Sequence, residues 1–225
     1  MTVKDLLRPL PGMQQISLLR QRLRFTGSAL YWERNYANGG TSGDGSYGTL
    51  AHAKADFLNA FVRAHGVQSV TEFGCGDGNQ LSLAMYPRYA GMDVSPAAID
   101  LCKSRFATDL AKSFFLYDGA RFVDRAGLFD ADLALSLDVV YHLVEDSVFE
   151  TYMSHVFAAG RTYVVVYATN SDMKGTAPHV RHRHFTPWVE EKFPQWRLMQ
   201  LIRGPNSGVG RADFFVYERI ATNGR

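Results

Sequence analysis

Three glycines spaced two apart, Gly74, Gly76 and Gly78, follow the short apolar run Ser69–Phe73, within which stands the carboxylate of Glu72. An apolar run ending on glycines reads as a buried strand entering a tight turn. The turn needs glycine because it takes positive φ values and lets a ligand lie against bare backbone. A second apolar segment ends on Asp93, where a β-α-β nucleotide site uses a carboxylate to hold ribose hydroxyls. Glycine turn and acidic strand end predict a cofactor site. Chemistry on a second molecule has its own candidates. His142 follows Asp138 at the end of a later apolar run, and a histidine there suits general-base work because its pKa ordinarily lies near neutrality. The competing reading of His142 is a helix cap, or a ring packed on Tyr141. Further on, His179-Val180-Arg181-His182-Arg183-His184 alternates imidazoles with guanidiniums. In extended chain His182 and His184 share one face and Arg181 and Arg183 the other. Arginine forks favour phosphate or carboxylate groups on a substrate, whereas a solvated basic loop is the alternative. Nothing else in that cluster completes a zinc site.

The glycines do not follow G-x-G-x-x-G, the dinucleotide arrangement that seats a pyrophosphate on a helix N-terminus, and Glu72 would repel such a phosphate. The pattern Glu72-x-Gly74-x-Gly76-x-Gly78 resembles motif I of the class I S-adenosylmethionine-dependent methyltransferases. That cofactor carries an ammonium and a sulfonium, which an acidic residue suits. Gly91-Met92-Asp93-Val94-Ser95 resembles the ribose-binding segment of the family, and Phe114–Asp118 its third strand, with Asp118 where the adenine amino group is often contacted. Asp132–Leu143 resembles motif IV. Segments similar to Tyr31-Trp32-Glu33 open several small-molecule methyltransferases, which places Tyr31 and Arg34 at the amino-acid end of the cofactor. Catechol-type members bind Mg²⁺ through an Asp after the fourth strand and an Asp-Asn pair after the fifth. Asp138 occupies the first location here, and Asn170 and Asp172 lie near the second, in a departing order. Oxygen ligands suit Mg²⁺, so a metal is the alternative to His142 for activating a hydroxyl.

The elements that must position these groups are legible from periodicity. Strands are predicted near 69–73, 89–93, 113–117, 132–138, 161–168, 196–202 and 213–219, with helices near 79–85, 96–106, 146–158 and 186–192. Strand-helix alternation of this kind builds a doubly wound, mostly parallel α/β sheet of seven strands. Ser95-Pro96 and Thr186-Pro187 read as helix starts. The turn cluster Gly204–Gly208 predicts a terminal antiparallel hairpin. Ahead of this core, residues 1–65 read as a helical cap. Met13–Phe25 is amphipathic, Ser28 is placed to cap a short helix through Tyr36, and a helix from about Leu50 to Ala64 leads into the core at 66–225. Between them Gly39–Gly48 is rich in glycine and hydroxyls; it reads as a lid over the cofactor, with Tyr47 on it, or as a linker.

At 225 residues and 46% hydrophobic, the chain has material for one well-sized core. A net charge of +2 demands no polyanion, so no nucleic-acid partner is expected. No apolar run reaches the roughly 18 residues of a membrane span, and Met1–Leu7 does not open a signal peptide. Cys75, inside the glycine turn, and Cys102 read as reduced thiols of a cytoplasmic protein. The expected function is methyl transfer from S-adenosylmethionine to a hydroxyl of a small polar acceptor, a sugar or glycan precursor. His142 and Asp138 are the catalytic candidates, and Tyr47, Tyr141, His179, Arg181 and His182 the substrate-binding ones. The acceptor class rests on a looser resemblance of the Tyr-Trp-Glu, Gly-Gly-Thr-Ser-Gly and Tyr-His-Leu-Val-Glu-Asp segments to sugar-modifying methyltransferases. The alternatives are N- or S-methylation of a small molecule, nucleic-acid methylation, and a cofactor-binding module without turnover.

Overall fold

A computed structural model describes residues 25–175, 177–205 and 211–220. The amphipathic segment expected at Met13–Phe25 lies outside these but for Phe25, as does most of the Gly204–Gly208 turn. Two helices lead in, α1 (Ser28–Ala37) and α2 (Gly48–Ala64). The alternating part then runs β1 (Val70–Phe73), β2 (Tyr89–Asp93), α3 (Pro96–Arg105), β3 (Lys112–Leu116), β4 (Ala131–Leu137), α4 (Asp146–Ala159), β5 (Gly160–Ala168), α5 (Thr186–Lys192), β6 (Trp196–Ile202) and β7 (Asp213–Arg219). The seven strands form one sheet in the order β3-β2-β1-β4-β5-β7-β6. β1 pairs in parallel with β2 and β4, and β7 inserts antiparallel between β5 and β6. The order reverses between β1 and β4, so the switch point, and the crevice it opens, lies at their carboxyl ends.

Both faces of the sheet are covered, which is why its central strands read as unbroken apolar runs. Against one face pack Phe149, Met153, Val156 and Phe157 of α4 and Val189 of α5. Against the other pack Leu58, Phe61 and Val62 of α2 with Ile99 and Cys102 of α3. Residue 65 thus divides α2 from the sheet it covers; α2 is a layer of the core.

Three local readings differ from the sequence expectation. The helix expected at 79–85 is a single 3₁₀ turn, Leu81–Leu83. Ser82 Oγ donates to the Asn79 carbonyl at 2.6 Å, and Asn59 takes the turn's end, donating to the Leu83 carbonyl at 2.9 Å and accepting from Met85 N at 2.8 Å. Side chains that satisfy the backbone locally remove the need for further helical turns. Ser28 does not cap α1; Gly27 holds that position. The Ser28 hydroxyl instead donates to Glu145 at 2.6 Å and accepts from Val144 N at 3.0 Å, tying α1 to the segment before α4. Phe185, not Thr186, precedes α5, and Thr186 Oγ1 accepts from Asn170 at 3.0 Å. Ser95 does cap α3, accepting from Ala98 N at 3.3 Å.

Candidate active site

The crevice at the switch point encloses a cavity of about 490 Å³. Its floor is the glycine turn. Gly74 and Gly76 have φ values of 83° and 57°, and a Cβ at Gly76 would stand 2.3 Å from Ser42 Oγ. Asp93, buried at the end of β2, braces this turn: its carboxylate accepts from Gly76 N at 2.9 Å and Ser95 N at 3.0 Å. Burial raises the Asp93 pKa to about 6, against those amides and that of Val94. Glu72, also buried, accepts from the Tyr89 hydroxyl at 2.7 Å. Burial pushes its pKa to about 7, opposed by the Tyr89 hydroxyl and the charge of Lys54.

His142 also lines the cavity, on a 3₁₀ turn, Val140–His142, that follows β4. Its Nδ1 lies 3.1 Å from the carbonyl oxygen of His179. A carbonyl only accepts, so Nδ1 carries the proton and Nε2 keeps a bare lone pair. Trp32 meets the imidazole edge-on at 4.7 Å and Tyr141 tilts against it at 4.5 Å. This surround strips water from the charged form, and burial lowers the pKa to about 4.

Of the residues singled out in the sequence, Glu72, Gly74, Gly76, Asp93, Val94, Asp118, Asp138 and His142 line this one cavity. The remaining cofactor- and substrate-binding candidates are not among its lining residues. Tyr31 stacks on His179 with ring centroids 4.2 Å apart, and Arg34 is exposed near Thr26. Tyr47 donates to Asp77 at 2.7 Å and Tyr141 to Asp138 at 2.7 Å. His182 pairs with Thr169 at 2.7 Å. Arg181 and Arg183 both reach Asp146, at 3.0 and 3.1 Å, and both donate to the Val144 carbonyl, so these forks fasten their own loop to the start of α4.

Lys54 escaped the sequence reading. It is fully buried and donates to Asp138 at 2.5 Å. A signal existed: Lys54 sits on the apolar stripe Ala51, Ala55, Leu58, Phe61 and Val62 of α2, where a cation has no solvent. Gln80 was missed as well. It is 8% exposed and lines the cavity.

No protein-family model matches the chain. A small RNA 2′-O-methyltransferase of Arabidopsis thaliana is 24% identical in a 177-residue alignment that covers 65% of this chain and 19% of that protein. The chain thus corresponds to a small part of that relative. Among solved structures, the N-methyltransferase NodS of Bradyrhizobium japonicum WM9, in complex with S-adenosyl-L-homocysteine, superposes with a TM-score of 0.68 at 16% identity, over 87% of this chain and 100% of that one. The methyltransferase domain of bacterial CtHen1 gives a TM-score of 0.63 at 20% identity, over 77% and 100% of the two chains. Magnesium protoporphyrin IX methyltransferase of Synechocystis PCC 6803, with S-adenosylmethionine bound, gives 0.63 at 14% identity, over 87% and 99%. The chain has the class I S-adenosylmethionine-dependent methyltransferase fold. In this methyltransferase fold the cavity's residues fit the cofactor: bare glycine backbone, a carboxylate at the second strand's end, and buried acceptors beside the turn.

They do not fit Mg²⁺. The Asp138 carboxylate is already taken by the Lys54 ammonium and the Tyr141 hydroxyl. Asn170 Oδ1 accepts from Phe185 N at 2.8 Å, and Asp172 accepts from His184 N at 3.1 Å. Among the described residues no three His, Cys, Asp or Glu side chains gather as a metal site. An ammonium beside the oxygens would repel a divalent ion.

The Gly39–Gly48 segment closes one side of the cavity through Ser42 and Ser46. It is latched to the glycine turn. Asp77 accepts from Ser42 N at 3.0 Å and from Tyr47, and Asp77 N donates back to Ser42 Oγ at 3.0 Å. Burial works against it, yet bonds from Asn79, Tyr47 and Ser42 hold the Asp77 carboxyl below its usual pKa. Amide exchange in residues 39–48 is expected to slow when cofactor and acceptor bind, and to quicken in Asp77→Ala. Equal exchange in free and bound protein would return the segment to the role of a linker.

Proposed function

We propose that the chain is an S-adenosylmethionine-dependent methyltransferase that acts on a hydroxyl of a small polar acceptor of the sugar class. The observation that carries the acceptor chemistry is the fixed tautomer of His142, which leaves Nε2 unprotonated on a residue that lines the cavity that would hold the cofactor. The bound cofactor supplies an electrophilic methyl group on a sulfonium. The chain's own residues then have three tasks. The glycine turn, Asp93 and Asp118 hold the nucleoside. α1 and the latched segment exclude water with Trp32, Ser42 and Ser46. His142 orients the acceptor hydroxyl and takes its proton. With its pKa near 4 it is neutral at pH 7 and a weak base. The hydroxyl oxygen becomes a strongly acidic oxonium as it gains a third bond, to the methyl carbon, so a weak, correctly placed base serves if the proton leaves late.

A ribose 2′-hydroxyl is a second acceptor of the same chemistry, favoured by the similarity to the Arabidopsis small RNA 2′-O-methyltransferase and to the CtHen1 domain. The expectation of no nucleic-acid partner rested on net charge alone, and a charge of +2 does not bar a single nucleotide from entering end-on. An amine acceptor, in line with the similarity to the N-methyltransferase NodS, would need no base. Buried, unpaired Cys75 and Cys102 accord with a reducing cytoplasm, and no described helix is long and apolar enough to cross a membrane.

Calorimetry tests the cofactor. S-adenosylmethionine should bind and NAD should not; the reverse result sinks the proposal. Asp93→Ala is expected to weaken binding roughly ten- to hundredfold, the worth of charge-assisted bonds of about 1.5–3 kcal/mol. Some of that loss comes from freeing Gly76 and Ser95. Formation of S-adenosylhomocysteine with a panel of sugars, nucleosides, short RNAs and amines identifies the acceptor.

A further inference from the structure

Two neighbouring aromatics on α1 grip two imidazoles. Trp32 meets His142 edge-on, and Tyr31 lies nearly flat on His179, 10° from parallel with ring centroids 4.2 Å apart. The stack continues inward, since the His179 and His142 rings are 17° from parallel at 5.6 Å. Burial lowers the pKa of both imidazoles, so at pH 7 the rings meet without charge repulsion. The Tyr31 hydroxyl is 3.4 Å from His179 Nε2, too long to add much, so the flat contact does the holding. His179 needs such a hold. It lies in the irregular stretch between β5 and α5, where no strand or helix fixes its carbonyl, and the nearest backbone tether is Arg181 N to the Tyr141 carbonyl at 2.8 Å. α1 is firmer, because Ser28 ties it to Glu145 and to Val144 N. The His179 carbonyl in turn receives the Nδ1 proton of His142.

We propose that Tyr31 is a positioning residue for the reaction: stacked on His179, it holds that residue's carbonyl against His142 Nδ1 and so keeps His142 Nε2 free to take the acceptor's proton. It rests on the reading of His142 as the base. A histidine ring without that carbonyl favours the proton on Nε2, and an Nε2–H donates where the reaction needs an acceptor. Adjacent positions on a helix project about 100° apart, so Trp32 packs against the ring of His142 while Tyr31 fixes the residue that orients it. Tyr31 is not among the residues that line the cavity, so its effect reaches turnover through His142 and leaves cofactor binding alone.

Long-range proton–nitrogen correlation spectra of the full chain, labelled with nitrogen-15 at histidine, read the tautomer at pH 7 with no acceptor present. His142→Ala assigns the signals. The wild type should carry the His142 proton on Nδ1. Tyr31→Ala should move it toward Nε2, and His179→Ala, which keeps the carbonyl and removes the stacked ring, should do the same. Tyr31→Phe keeps the flat contact and should retain the wild-type tautomer. Kinetics with the acceptor found by the panel should agree. Tyr31→Ala should lower kcat about ten- to hundredfold, the worth of a misplaced reacting group, and leave the Kd of S-adenosylhomocysteine unchanged. In a His142→Ala background it should cost nothing further, because the two act as one unit. An Nε2–H tautomer in the wild type overturns the proposal, as does an equal loss of kcat from Tyr31→Ala in both backgrounds. Should Tyr31→Ala fail to fold, Tyr31→Leu and His179→Ala decide. Full turnover in a folded His142→Ala overturns the base reading and the proposal with it, whereas an unchanged tautomer in folded Tyr31→Ala beside an inactive His142→Ala overturns the proposal alone.

Discussion

His142→Ala is expected to leave cofactor affinity nearly intact and to lower turnover by about 10²–10⁴-fold, the usual worth of a placed general base. The substitution deletes a ring that touches Trp32, Tyr141 and His179, so melting temperature has to be read beside the rate. The pH profile separates a base from a packing residue. The sequence alone predicts an ascending limb near the ordinary histidine pKa, but burial moves the His142 pKa down to about 4. Activity should therefore rise as pH climbs through about 4 and stay flat beyond, and the mutant should lose that limb. Full turnover in a folded His142→Ala would mean an acceptor that is nucleophilic already, an amine or a thiol, and the hydroxyl assignment would give way.

The largest effect on stability is expected from Lys54→Met. The Lys54 side chain is 1% exposed and that of Asp138 13%. Removing one member of such a pair leaves the other charge buried without compensation, at a cost of about 3–5 kcal/mol. Asp138 has a second reason to depend on the pair, since its φ of 60° is one that side-chain-bearing residues seldom adopt. Denaturant unfolding measures the loss. The double variant Lys54→Met, Asp138→Asn should recover much of it, because no lone charge remains. A change below about 0.5 kcal/mol in the single variant would show that water reaches the pair and screens it.

The sequence by itself determined the sheet and the glycine turn that Asp93 braces. Strand limits at 89–93, 196–202 and 213–219 coincide with the structure: β2 and β7 are buried runs, as a doubly covered sheet requires, whereas β6 is a mostly exposed edge strand bounded by turn residues. The glycine turn and Asp93 were legible for a related reason: both are local, seventeen residues apart from Gly76 to Asp93, within one β-strand-to-strand unit. The tertiary structure alone decided the rest. Lys54 meets Asp138 across 84 residues, Ser28 meets Glu145 across 117, and Asp77 latches Ser42 across 35. No spacing rule links positions so far apart. The arginines of the 179–184 segment looked like substrate forks, since nothing in sequence revealed that Asp146 would stand beside them. The basicity of His142 was decided there too. A pKa depends on what surrounds the ring, and Trp32 and His179 come to it from α1 and from the segment after β5 only once the chain has folded.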